Sequence, residues 1–185
     1  MRKIIVSNVI SLDGFFEAPG QSLDWFVTND EFFDYSVSML DEMDTILYGS
    51  TTYGQMEAFW TSTAADSLPA IKERMNRMQK VVFSHKLENA TWHNTTIAKG
   101  NIIKEVTKLK QQPGNNMVIL GSGEIVSALT HLRLIDEYRI IVCPVILGDG
   151  TPLFRGMHNR LNLLLTQTKA LSNGSVILYY GVRKD

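Results

Sequence analysis

The chain has 185 residues, 44% of them hydrophobic and 20% charged, and a formal net charge of −1 at pH 7. That length suits one domain with a full core spanning residues 1–185, and the balanced charge argues for neither a basic nucleic-acid surface nor an acidic tail. No apolar run approaches the ~20 residues of a membrane span, and the single cysteine, Cys143, can build neither a disulfide framework nor a zinc site.

Residues 3–10 read as a buried first strand, and the basic pair Arg2-Lys3 before it is no signal peptide, because Ser7, Asn8 and Asp13 break the apolar stretch. A loop with Asp13-Gly14 and Pro19-Gly20 follows. Thr28-Asn29-Asp30-Glu31 has capping-box spacing, so a helix is predicted there with Phe32, Phe33, Val37, Leu40 and Met43 on its apolar face. Thr45 to Tyr48 is a short strand ending at Gly49, after which Ser50-Thr51-Thr52 opens a helix. Leu68 to Met78 reads as helix and Val81-Val82-Phe83 as strand. Ile102, Ile103, Val106 and Leu109 mark a helix that stops near Pro113-Gly114. Strand 117–120, helix 123–133 and strand 136–146 come next, with Cys143 as a small buried hydrophobe. Two strands near 162–171 and 175–183 close the chain, joined by the hairpin signal Ser172-Asn173-Gly174-Ser175. Strands alternating with helices before a final hairpin predict an α/β fold. Its sheet is mainly parallel with an antiparallel edge, and helices cover both faces.

Ligands of such sheets gather at the carboxyl ends of parallel strands, and three ends here carry suitable chemistry. Gly49-Ser50-Thr51-Thr52 offers hydroxyls at a helix N-terminus. Ser84-His85-Lys86 offers a hydroxyl beside cationic groups, which suits a phosphate monoester and favours NADPH over NADH. Gly121-Ser122-Gly123 ends the run Val118 to Leu120 and opens the helix carrying Ile125, Leu129 and Leu132. A dinucleotide fingerprint G-x-G-x-x-G is absent, because Val126 stands where its third glycine belongs. His85, His93, His131 and His158 have no metal-ligand spacing, and the zinc-deaminase signature is absent.

The order of motifs resembles the dihydrofolate reductase-like family, and most of all the reductase domain of the bifunctional riboflavin-biosynthesis deaminase-reductase. The resemblance rests on Ile10-Ser11-Leu12-Asp13-Gly14, Gly49-Ser50-Thr51-Thr52-Tyr53, Gly121-Ser122-Gly123-Glu124, Leu134-Ile135-Asp136-Glu137-Tyr138, and Pro144 to Gly150 with Leu153-Phe154. It implies NADPH lying across the sheet. Gly49, Ser50, Thr51 and Thr52 would meet its phosphates, and Ser84 with His85 or Lys86 its 2′-phosphate. Leu120, Gly121, Ser122, Gly123 and Glu124 would border the pyrophosphate, with Ile125 beside them. Val9 and Ile10 would flank the nicotinamide under a cover formed by residues 11–21, with Ser11 and Trp25 on the substrate side. It also implies a homodimer, to which strand 138–147 would contribute.

Hydride transfer needs a dry, closely positioned acceptor and a proton source. Asp13 on the loop and Asp24 beside Trp25 are the candidate acids, with Asp30 and Glu31 behind them as helix-end residues. Asp24 sits in the apolar stretch Leu23-Asp24-Trp25-Phe26, where partial burial would raise its pKa. The expected activity is NADPH-dependent reduction of a small pyrimidine- or pterin-like compound in the cytoplasm. Dihydrofolate reduction and a non-catalytic NADPH-binding sensor are the alternatives. The family's acidic position before its glycine turn is Leu120 here, which leaves the substrate open.

Overall fold

The computed structural model describes residues 1–183. In chain order it comprises β1 (Ile4–Ile10), β2 (Phe15–Glu17), α1 (Asp30–Asp41), β3 (Met43–Gly49), α2 (Ser50–Trp60), α3 (Pro69–Arg77), β4 (Gln79–Phe83) and β5 (Thr95–Ala98). These are followed by α4 (Ile102–Gln111), β6 (Asn116–Leu120), α5 (Gly123–His131), β7 (Glu137–Val142), β8 (Thr151–Pro152), β9 (Leu163–Ala170) and β10 (Val176–Val182).

Eight strands make one sheet in the order β5-β4-β3-β6-β1-β7-β10-β9, and β2 pairs with β8 in a small separate ribbon. The pairings from β5 across to β7 are parallel, and only β10 runs antiparallel to its neighbours β7 and β9. Parallel strands covered on both faces need continuous apolar sequence, and β1, β3, β6 and β7 supply it. Side-chain alternation divides that apolar set. Ile5, Ile46, Val118 and Ile141 pack under α1, α2 and α3, whereas Ile4, Leu47, Ile119 and Ile140 pack under α4 and α5. The mainly parallel sheet, the terminal hairpin and the two helical layers match the predicted architecture.

Several element limits differ from the prediction. The cap of α1 is Asn29, whose Oδ1 accepts the Phe32 N–H at 3.0 Å. Glu31 does not reach back to close a capping box; its carboxylate accepts the Ser172 N–H and so ties α1 to the β9–β10 turn. Strand 136–146 stops at Val142, because Pro144 has no N–H to continue the ladder. The short strands β2, β5 and β8 were not predicted, since two to four residues show no usable period.

Of the strand expected at a subunit contact, 138–147, the part in β7 lies inside the sheet between β1 and β10 with Tyr138 to Ile141 buried, while Ile146 beyond it is exposed. Cys143 is buried as expected; it accepts from the Ser175 hydroxyl, and burial pushes its thiol pKa up.

Candidate active site

β3 and β6 are parallel neighbours, so Gly49 and Leu120 end at the same sheet edge and α2 and α5 both start there. One residue locks the two starts together. The Ser122 hydroxyl accepts the Gly49 N–H at 2.8 Å, and the Ser122 N–H donates to Thr52 Oγ1 at 3.1 Å. Ser122 takes a left-handed conformation to do so (φ 56°), directly after Gly121 (φ 69°). Neither helix start receives a side-chain cap. Their first-turn N–H groups and positive dipole ends therefore face a common groove, which is the requirement for binding phosphate oxygens.

That groove, about 180 Å³, is lined by Gly49, Ser50, Thr51, Thr52, Ser122, Gly123 and Glu124, with Phe16, Glu17, Gln21 and Arg155 above. Ser50 and Thr51 are exposed, so their hydroxyls are accessible. Ile125 is buried beneath, where it packs against the opposite face of the groove floor at Gly49. A Cβ on Gly123 would stand 2.8 Å from the Phe16 ring, so glycine here lets the ring approach the start of α5 closely.

The third strand end reaches the same edge. Phe83 of β4 is opposite Gly49 in the ladder, which sets the Ser84 turn beside Ser50. The Ser84 hydroxyl accepts the Lys86 and Leu87 N–H groups and so closes that turn, while His85 and Lys86 are exposed and line neither cavity.

Of the expected cover, residues 11–21, Phe16, Glu17 and Gln21 border both groove and cavity. Ser11 is buried, and its hydroxyl accepts the Phe15 N–H at 3.0 Å. The Asp13 carboxylate accepts the N–H groups of Leu147 and Gly148 at 3.1 and 2.8 Å. The Ser11 side chain together with those amides holds the Asp13 carboxyl down at about 2. An acid kept ionised in this way, pinned to a neighbouring loop and lining neither cavity, has the properties of an anchor and not of a proton donor.

Asp24 also departs from expectation. Leu23 to Phe26 fold into a turn in which the Trp25 indole N–H donates to the Ser22 carbonyl. The turn sends Trp25 and Phe26 inward and leaves Asp24 exposed, hydrogen-bonded to the Ser22 hydroxyl at 2.6 Å. The apolar neighbours of Asp24 in sequence are therefore not its neighbours in space.

A second cavity of about 600 Å³ opens beyond the groove, between the sheet and α1, α2 and α3. It shares Phe16, Glu17, Gln21, Thr52 and Ser122 with the groove, so the two are continuous. Val9, Leu120 and Gly121 line its sheet side, Trp25 and Phe26 its rim, and Phe32, Tyr35, Met39 and Met56 its helical side. Ile10 alternates to the other face and packs toward α5. Sequence reasoning missed Glu17, Tyr35 and Arg155. Glu17 lay inside the expected cover, and Tyr35 follows Phe32 by three residues on the apolar face of α1, where it reads as core.

Comparison with known proteins matches residues 2–177 to the family model described as RibD C-terminal domain. The chain is 31% identical over 182 residues to the uncharacterized protein YyaP of Bacillus subtilis (strain 168), a match covering 97% of this chain and 94% of YyaP. A Shewanella sp. PV-4 protein provisionally described as a riboflavin biosynthesis protein superposes with a TM-score of 0.81 at 21% identity, covering 98% of this chain and 99% of that one. The diaminohydroxyphosphoribosylaminopyrimidine deaminase/5-amino-6-(5-phosphoribosylamino)uracil reductase of Thermotoga maritima superposes with a TM-score of 0.71 at 13% identity. That match covers 98% of this chain and 57% of the Thermotoga chain, and at such identities both likenesses speak for the fold, which is dihydrofolate reductase-like.

Proposed function

The chain belongs to the RibD C-terminal domain family, and from that premise we propose that it is an NADPH-dependent reductase acting on a small ring compound. The observation that carries this reading is the pair of uncapped helix starts, locked by Ser122, that face a groove continuous with a large apolar cavity. The residues fit the cofactor. First-turn amides of α2 and α5, with the Ser50 and Thr51 hydroxyls, would hold the pyrophosphate. Val9, Leu120 and Gly121 would form the wall for the nicotinamide. Lys86 and His85, carried on the Ser84 turn at the same sheet edge, would meet the 2′-phosphate.

Bound NADPH supplies a hydride. The chain's own residues position the acceptor and exclude water: Phe16 covers the start of α5, and Trp25 and Phe26 form the cavity rim. Among the described residues, Glu17 is the one carboxyl lining the cavity, and it borders both groove and cavity. It would deliver the proton to the acceptor, directly or through water, in place of Asp13 and Asp24. We place the homodimer contact on β9, a sheet edge with Leu163, Leu164 and Leu165 exposed.

Titration with NADPH and NADH in parallel, read by nicotinamide fluorescence, tests this reading. NADPH should bind at micromolar concentration and more tightly than NADH, with the preference lost in Ser84→Ala and Lys86→Ala. Binding of neither nucleotide would overturn it.

A further inference from the structure

Arg155 is the one cation among the described residues lining the groove, and no lysine, arginine or histidine lines the cavity beyond it. Two carboxylates, Glu17 and Glu124, line the groove with it, so the three charged side chains leave a net negative charge there. The uncapped starts of α2 and α5 in the same groove nevertheless favour an anion. A pyrophosphate held by their first-turn amides would stand beside two like charges, and Arg155 is the charged group of the groove able to offset them.

The fold fixes the base of Arg155 and leaves its tip free. Pro152 and Thr151 pair with Phe15 and Glu17 in the β2–β8 ribbon. Leu153 is buried; its N–H donates to the Gly14 carbonyl, and its own carbonyl accepts from the Ser127 hydroxyl of α5. The Phe154 ring meets the Tyr138 ring edge-on, with centroids 5.9 Å apart. Arg155 follows directly, so its backbone is held beside α5. Its guanidinium faces the Glu124 carboxylate at 3.6 Å, and both side chains are mostly exposed, at 58% and 84%. An exposed pair at that distance is weakly held. Glu124 belongs to the first turn of α5, where a negative charge meets the positive end of the helix. Its carboxylate therefore stands at the same helix start that would hold the phosphates.

We propose that Arg155 is a phosphate clamp: its guanidinium leaves Glu124 and closes on the pyrophosphate of the nucleotide, and Glu124 opposes binding by competing for it. This rests on the reductase reading and adds to it a positioning residue from outside the glycine turn. A guanidinium presents two parallel N–H groups to two phosphate oxygens, which an ammonium cannot do, so the clamp calls for arginine. It also couples the nucleotide to the cover, because the ribbon that leads to Arg155 carries Phe16 and Glu17 on its other strand.

Fluorescence titration of the full chain with NADPH and with NADH, at about 0.05 and about 0.5 M NaCl, tests this. Arg155→Ala should weaken both nucleotides by the same factor, about tenfold, and flatten the dependence on salt. Arg155→Lys should recover only part of the loss. Glu124→Gln should tighten both nucleotides about threefold. Opposite signs at the two partners of one ion pair are the signature: a pair that merely braced the loop would give the same direction in both variants. Circular dichroism should show unchanged helix content in each, since both side chains are exposed. Three results overturn the clamp while binding by the unmodified chain leaves the reductase reading standing. These are unchanged affinity in Arg155→Ala, a loss confined to NADPH, which would put the guanidinium on the 2′-phosphate, and weaker binding by Glu124→Gln. An unmodified chain that binds neither nucleotide removes the reductase reading and the clamp with it.

Discussion

Two residues near the groove carry sharp expectations. The Asp13 carboxyl lies at about 2 against an ordinary 3.8, so its anchoring of Leu147 and Gly148 is complete above about pH 4 and fades as pH falls towards 2. In NMR spectra the Gly148 and Leu147 amide shifts should titrate with a midpoint near 2, and Asp13→Asn should abolish that titration while leaving the shifts of β1 in place. Gly123→Ala sets a methyl 2.8 Å from the Phe16 ring, which must swing away and loosen the cover. NADPH affinity should fall about tenfold with little loss of thermal stability, because the ring lies outside the core. Residues lining the groove were legible where they follow from local sequence, as at Ser50, Thr51 and Gly123. They were not legible where a turn decides orientation. Asp24 sits among apolar neighbours in sequence but points to solvent, whereas Glu17 and Tyr35 were hidden in a loop and in a helix's apolar stripe.

Elements were easiest to read where the hydrophobic period is long. α4 and α5, with β1 and β6, fell within a residue or two of their predicted limits, whereas β5 and β8 are too short to show a period and owe their strand geometry to pairing with β4 and β2. The junction between elements is a tertiary matter that no local pattern announces. Ser122 is an example: it reads as one member of a small-residue turn, yet it bridges β3, α2 and α5. Ser122→Ala removes the acceptor of the Gly49 N–H and should destabilise the fold by about 1 kcal/mol in chemical denaturation. It should also weaken NADPH binding more than it weakens folding, because it frees the two helix starts from each other.

Across the whole molecule, strand–helix alternation was enough to predict a mainly parallel sheet with an antiparallel end, but not the strand order, which depends on which crossovers the core accepts. Nor did it reveal that most of the strand expected at a subunit contact lies inside the sheet, since an apolar strand in sequence does not show whether it is central or at the rim. With β9 at the rim instead, sedimentation should show a dimer, and Leu164→Lys with Leu165→Lys should yield a monomer without loss of helix content. The cover has the widest reach. Asp13 clasps the loop at 147–148, β2 is stitched to β8, and Gly150 fits against the Glu17 carbonyl with no room for a side chain. Two stretches more than a hundred residues apart are thus tied together as one latch. On the reductase reading, the time an oxidised nucleotide stays bound, and with it the turnover ceiling, would be adjustable from the far side of that latch. A lengthened turn near Asp149 should hasten nucleotide release in stopped-flow measurements without altering any group that touches it.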